Sequence, residues 1–211
     1  MQAVKLPLAK RIFDAVIGAS LLVLFSPFIV VILFLMSLES VFIHSSRGRF
    51  FYSETRISAG RPFTLYKFRI FKERSLAKFF DRNGFIQTKE LENDKKNFTH
   101  VGGILKQIYM DELPQLICVL KGDMSLVGPR PTNPVNAQRW LQEGKYSKHL
   151  IKAGLTGYFQ SHKGTKHSRE QNQTDMEYIE YCRKNPGWRI VLLDAKILVI
   201  SAITVLKAQG I

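Results

Sequence analysis

Apolar residues are concentrated near the start of this chain. From Ala15 to Leu38, 24 consecutive residues carry no formal charge, whereas a helix needs about 20 apolar residues to cross a bilayer. Ser26-Pro27 interrupts the middle of that run. Proline lacks a backbone donor and clashes with the preceding turn, so a bend is expected there. Lys5, Lys10 and Arg11 precede the run, and Arg47 and Arg49 follow it. Basic flanks at both ends favour one and the same side of a membrane. That suits a helix that enters, bends at Ser26 and Pro27, and returns; a kinked transmembrane helix is the alternative. The run is too long for a signal peptide, and "SLESVFIHSSRGRF" offers no clear cleavage site, so the segment is expected to be retained.

The pattern then changes period. Phe50 to Ile57 and Pro62 to Ile70 are rich in aromatic and β-branched residues around Ser58-Ala59-Gly60, which reads as a β-hairpin. Alternation places Lys67 and Arg69 on one strand face and Phe68 on the other. From Lys72 to Thr99 the chain is polar, with a "DRNG" turn and an "ELENDKKN" surface helix or loop. Apolar spacing resumes from Val101 to Tyr109. Leu113 to Leu120 reads as a short buried helix with Pro114 in its first turn. Asp175 to Arg183 and Trp188 to Lys207 read as the last two helices. Asp194 and Lys196 interrupt the final one, which favours packing or an interfacial position over spanning. No internal repeat is evident.

Charge narrows the partners. The chain carries 31 Lys and Arg against 17 Asp and Glu, a formal net charge of +14. That excess points to an anionic partner: a phosphorylated substrate, an anionic membrane surface or nucleic acid. One hairpin does not supply the repeated aromatic platform of a single-strand binder, so nucleic acid is set aside. Cys118 and Cys182 lack metal or redox spacing and read as buried free thiols. His162 and His167 read as loop residues rather than ligands. Gly102-Gly103 lacks the phosphate-loop pattern.

Against this basic background, "MDELPQLICVLKGDMSLVGPRP" from Met110 to Pro131 places two adjacent acids before an arginine held between prolines. Each acid alone reads as a helix cap. Together they offer a nucleophile and hard oxygen ligands for Mg²⁺. Arg130 can clamp phosphate oxygens with two parallel donors.

With "KRIFDAVIGASLLVLFSPFIVVI", "RPFTLYKFRIF", "AGLTG" and "DMEYIEYCRKNPGWRIVLLDAKIL" in the same order, the chain resembles the bacterial sugar transferase family, the monotopic polyprenyl-phosphate phosphoglycosyl transferases. The resemblance implies transfer of a phosphosugar from a nucleoside-diphosphate sugar, usually a UDP-sugar, to polyprenyl (undecaprenyl) phosphate, with release of UMP. It implies Asp111 as nucleophile, Glu112 beside it as catalytic partner and Mg²⁺ ligand, and an aspartyl-phosphosugar intermediate. Lys67 matches a family lysine near the active site. Asp175 matches an acid that could assist it, with structural salt bridging the alternative for both. Lys106 stands where many members have arginine. Arg130, Lys106, Lys67 and Arg69 are the phosphate-binding candidates. "FRIF" and "AGLTGYFQ" depart from the commoner family forms, which bears on the sugar more than on the reaction.

The expectation is one α+β, mostly helical, membrane-embedded monotopic domain over residues 1–211. A re-entrant helix region occupies 1–45. A globular part, 46–211, lies at the cytoplasmic face of a bacterial inner membrane, with a small β-hairpin and interfacial amphipathic helices. Its length suits a minimal catalytic form, and a homodimer is compatible with it. The rival is a non-enzymatic basic module binding a membrane surface; a phosphatase acting on lipid diphosphates is a third reading.

Overall fold

The computed structural model describes residues 3–78, 91–161 and 170–206. The "DRNG" turn, His162, His167 and Lys207 lie outside the described residues. The described chain is mostly helical with a small antiparallel hairpin. Helix α1 runs Leu8–Phe42; strands β1 and β2 are Phe51–Ser58 and Arg61–Phe68. Then come α2 (Glu73–Lys78), α3 (His100–Gln107), α4 (Gln115–Lys121) and β3 (Ser125–Val127). They are followed by α5 (Pro134–Gln142), α6 (Ser147–Leu150), β4 (Gly154–Thr156) and α7 (Tyr158–Ser161). Helices α8 (Gln171–Lys184) and α9 (Gly187–Leu206) end the described chain.

Helix α1 is continuous through Pro27. Proline denies the Val23 carbonyl its usual donor four residues on. The Ser26 hydroxyl donates to that carbonyl at 2.7 Å, so the pair opens a gap in the helical ladder and partly fills it. Only 11% of the most apolar stretch of α1 is buried. Val23, Leu24, Phe28, Val30 and Phe34 are among its exposed side chains.

The hairpin turn is Ala59-Gly60, both in left-handed conformation at φ 48° and 75°, the pair that a two-residue turn of this hand requires. Ser58 therefore stays in the strand. It is buried, donating to the Asp123 carbonyl at 2.6 Å and accepting from the Ala153 amide at 3.0 Å.

The chain packs as two units. The first comprises residues 1–21, 55–65 and 116–211. Its centre is the parallel pair β3 and β4, with Ser125 opposite Gly154 and Val127 opposite Thr156. A side chain on Gly154 would lie 2.1 Å from the Gly128 backbone, so this crossing requires glycine. Leu126, Ile151, Ile179, Ile190 and Ile197 fill the surrounding core. A buried polar network runs through it. Lys10, fully buried, pairs with Asp194 at 2.5 Å and with Asp14 at 3.4 Å. Asp14 accepts from the Ser125 hydroxyl and the Leu126 amide, and Tyr178 donates to Asp194 at 2.9 Å. Asp194 is thus a partnered interior charge of α9, while Lys196 remains exposed. Burial pushes the Asp194 carboxyl above its ordinary range and the Cys182 thiol to about 11; Cys118 and Cys182 are buried and form no disulfide.

The second unit comprises residues 22–54 and 66–115. Ile32, Met36, Phe68, Phe71, Leu91 and Leu105 are among its core side chains. Gly102 belongs to that packing: a side chain there would lie 2.3 Å from the Ile70 carbonyl oxygen. Thr99 caps α3 by accepting from the Gly102 amide.

Candidate active site

The adjacent acids sit on a 3₁₀ turn, Met110–Glu112, in the second unit. Tyr109, in left-handed conformation at φ 57°, redirects the chain out of α3 just before them. Such a conformation is costly for a bulky residue and persists only where the surroundings impose it. The helix that follows begins at Gln115, one residue after Pro114. Asp111 is 2% exposed. Glu112 is half-buried, and its Oε1 accepts from Lys67 Nζ at 2.7 Å. That ion pair ties the end of β2 to the acid pair, and the side chains of its two members are 19% and 17% exposed. In such partial burial the interaction is screened less than at an open surface.

The other basic candidates of this unit have different surroundings. Strand β2 ends at Phe68, so strand alternation no longer governs Arg69. The side chain turns inward, 3% exposed, and its guanidinium donates to the carbonyls of Arg49, Phe71 and Ser46. It fastens the 46–49 loop to the segment around Phe71, which argues for a structural role rather than phosphate contact. Lys106 pairs with Glu92 at 3.0 Å, both side chains 35% exposed.

Among the described residues, no group of three or more His, Cys, Asp or Glu side chains converges as a metal site. The adjacent carboxylates Asp111 and Glu112 are hard oxygen donors that could hold a magnesium ion together with water and phosphate oxygens. The residues fit that demand, because Mg²⁺ is commonly held by one or two carboxylates plus substrate phosphates.

Arg130 lies in the first unit, on the segment leaving β3. Backbone bonds hold that segment on both sides of it: the Gly154 amide donates to the Pro129 carbonyl at 3.0 Å, and the Ile57 amide to the Thr132 carbonyl at 2.9 Å. The arginine is half-buried and its positive charge repels that of Lys148. Lys148 Nζ pairs with Asp175 Oδ2 at 2.7 Å, each side chain 2% exposed. The same ammonium lies 4.9 Å from the centre of the Trp140 ring, within cation–π range. Burial pushes the Asp175 carboxyl above the ordinary carboxylate range and Lys148 below the ordinary lysine range. Asp175 thus has a buried ionic partner. Nothing in the local sequence marks Lys148 or Trp140; one lysine among so many basic residues carries no local signal.

Comparison with known proteins bears on the chain as a whole. The family model described as bacterial sugar transferase matches residues 5–208. A relative named as an uncharacterized sugar transferase, EpsL of Bacillus subtilis, is 34% identical over 204 residues, covering 96% of this chain and 89% of its own. The UDP-glucose:undecaprenyl-phosphate glucose-1-phosphate transferase of Escherichia coli is 32% identical over 200 residues, 92% of this chain. This chain spans only 39% of that relative's length. The exopolysaccharide production protein ExoY of Rhizobium meliloti is 36% identical over 163 residues, 72% of this chain and 68% of its own. On the match over residues 5–208, this chain belongs to the bacterial sugar transferase family.

Proposed function

We propose that this protein transfers a phosphosugar from a UDP-sugar to undecaprenyl phosphate at the cytoplasmic face of a bacterial inner membrane. The observation that carries the reading is the buried Asp111 next to a Glu112 fixed by Lys67 at 2.7 Å. The relatives named as undecaprenyl-phosphate sugar transferases supply the substrate class.

In the proposed reaction an Asp111 carboxylate oxygen attacks the sugar-bearing phosphorus. A phosphorus–oxygen bond forms, the bond to UMP breaks, and UMP leaves with its electron pair. An oxygen of undecaprenyl phosphate then attacks the same phosphorus. The bond to Asp111 breaks, releasing an undecaprenyl-diphosphate sugar and the free carboxylate. A two-step displacement through a covalent intermediate is the general use of such a nucleophile. Glu112 and Asp111 would hold Mg²⁺, which neutralises diphosphate oxygens and offsets their repulsion of the attacking carboxylate. Lys67 orients Glu112. Arg130, on its pinned segment, takes phosphate oxygens through a two-donor fork.

The apolar surface of α1 supports a lipid environment, because an exposed apolar surface of this extent is rare on soluble monomers. The Ser26–Val23 bond suits a position in lipid, since it satisfies a carbonyl that lipid could not, and the basic residues on both sides of the apolar run support a re-entrant path. The test is UMP release. The protein in a lipid nanodisc, given UDP-sugars, undecaprenyl phosphate and Mg²⁺, is expected to release UMP and to form a lipid-linked phosphosugar. Salt-sensitive binding to anionic vesicles without UMP release would instead identify a non-catalytic surface module.

A further inference from the structure

Gln160 ends the "AGLTGYFQ" segment on α7. It is 2% exposed, and neither its Nε2 nor its Oε1 has a hydrogen-bond partner. A buried carboxamide with both halves unpaired carries a full desolvation cost with no return from within the protein. Its setting is defined. A side chain added at Gly157 would lie 2.7 Å from Gln160 Oε1 and 2.3 Å from the Gly128 carbonyl oxygen. The amide therefore stands beside Gly157, where that backbone crosses Gly128, two residues before Arg130. Asn172 Oδ1, on the neighbouring α8, is a second buried and unpaired acceptor.

We propose that Gln160 reads the nucleobase of the donor substrate, its amide pairing with the imide edge of uracil. The inference rests on the UDP-sugar reading above. A neutral carboxamide presents one acceptor beside one donor, which matches a neutral planar edge presenting a donor beside an acceptor. In uracil these are N3–H, donating to Oε1, and O4, accepting from Nε2. A phosphate offers acceptors only and would leave Oε1 unpaired. In a uridine diphosphate the base and the phosphates are separated by one ribose. That layout suits an amide and an arginine carried by adjoining segments of the β3 and β4 pair.

The test compares binding of three nucleotides to the intact protein in nanodiscs. UMP presents the imide edge, N3-methyl-UMP blocks it, and 5-methyl-UMP leaves it untouched. Wild-type protein is expected to bind UMP and 5-methyl-UMP alike and N3-methyl-UMP about tenfold or more weakly, since a site built for a hydrogen bond rejects the analogue lacking it. The Gln160→Met variant is expected to lose the discrimination between UMP and N3-methyl-UMP. Without nucleotide its melting temperature should equal or exceed that of wild type, because an unpaired amide has been removed. Equal binding of UMP and N3-methyl-UMP by wild type would overturn the assignment while leaving transfer activity in place. Unchanged discrimination in Gln160→Met would overturn it too. Failure of wild type to bind UMP would remove the UDP-sugar reading and this inference with it.

Discussion

Lys67 Nζ donates to Glu112 Oε1 at 2.7 Å, joining the end of β2 to the turn that carries Asp111. The pair lies far apart in sequence and belongs to one unit. If Lys67 orients Glu112, its removal costs turnover more than folding. Lys67→Met is expected to lower kcat/KM about tenfold to a hundredfold, the size of effect that a displaced positioning group produces. Glu112→Gln combined with Lys67→Met should cost much less than the sum of the two separate losses. Additive losses in steady-state UMP release would show that the residues act independently.

Arg130 tests the geometry of phosphate capture. Arg130→Lys keeps the charge and loses the planar fork. A loss of about tenfold or more in kcat/KM is expected, with thermal stability close to wild type because the side chain is only half-buried. Near-normal kinetics would reduce Arg130 to a long-range charge.

The Lys148–Asp175 pair makes a stability prediction. Removing one partner leaves a buried charge alone, which costs about 3–5 kcal/mol. Lys148→Met should therefore be more destabilising than the double variant with Asp175→Leu. The raised Asp175 pKa sets the pH dependence. A raised pKa contributes stability that is present below the ordinary carboxylate value and lost as pH rises through the folded value. Relative to the double variant, wild type should gain stability as pH falls through that acid window. Melting temperatures between about pH 7 and about pH 4 check this.

Much of the fold is legible in the sequence. The 24-residue uncharged run gives α1, the aromatic and β-branched strands give the hairpin, and Pro186-Gly187 marks the start of the last helix. The β3 and β4 pair is not legible. Its strands have three residues each, and tertiary context overrides propensity at that length. Asp194 reads locally as an interruption of an apolar helix; its partner Lys10 lies 184 residues away. Arg69 reads as sharing a strand face with Lys67, but β2 ends before it and the guanidinium turns inward to three carbonyls. At the site, the acid pair and Arg130 stand out through residue type and prolines. The buried Lys148 and the unpaired amide of Gln160 depend on packing that no local pattern encodes.

Topology supplies a further test. With Cys118→Ala and Cys182→Ala as background, Lys5→Cys is expected to react with an impermeant maleimide only from the cytoplasmic side. Lys5 is exposed, so access is not limited by packing. Replacing Pro27 and Ser26 by alanine restores an ordinary helical ladder and should send part of the population across, against the positive charge of Arg11 and the buried Lys10–Asp194 pair. Labelling from outside in the protein with Ser26 and Pro27 intact would replace the re-entrant path with a kinked span.

Covalent catalysis at Asp111 is the centre of the account, and intact-mass spectrometry tests it most directly. The protein is incubated with a UDP-sugar and Mg²⁺ and no lipid acceptor, then denatured and weighed. The predicted result is an added mass of one phosphosugar, absent in Asp111→Asn and discharged in wild type by undecaprenyl phosphate. An adduct of that mass on Asp111→Asn would place the nucleophile elsewhere. UMP release by wild type with no adduct at any time during turnover would contradict the covalent route.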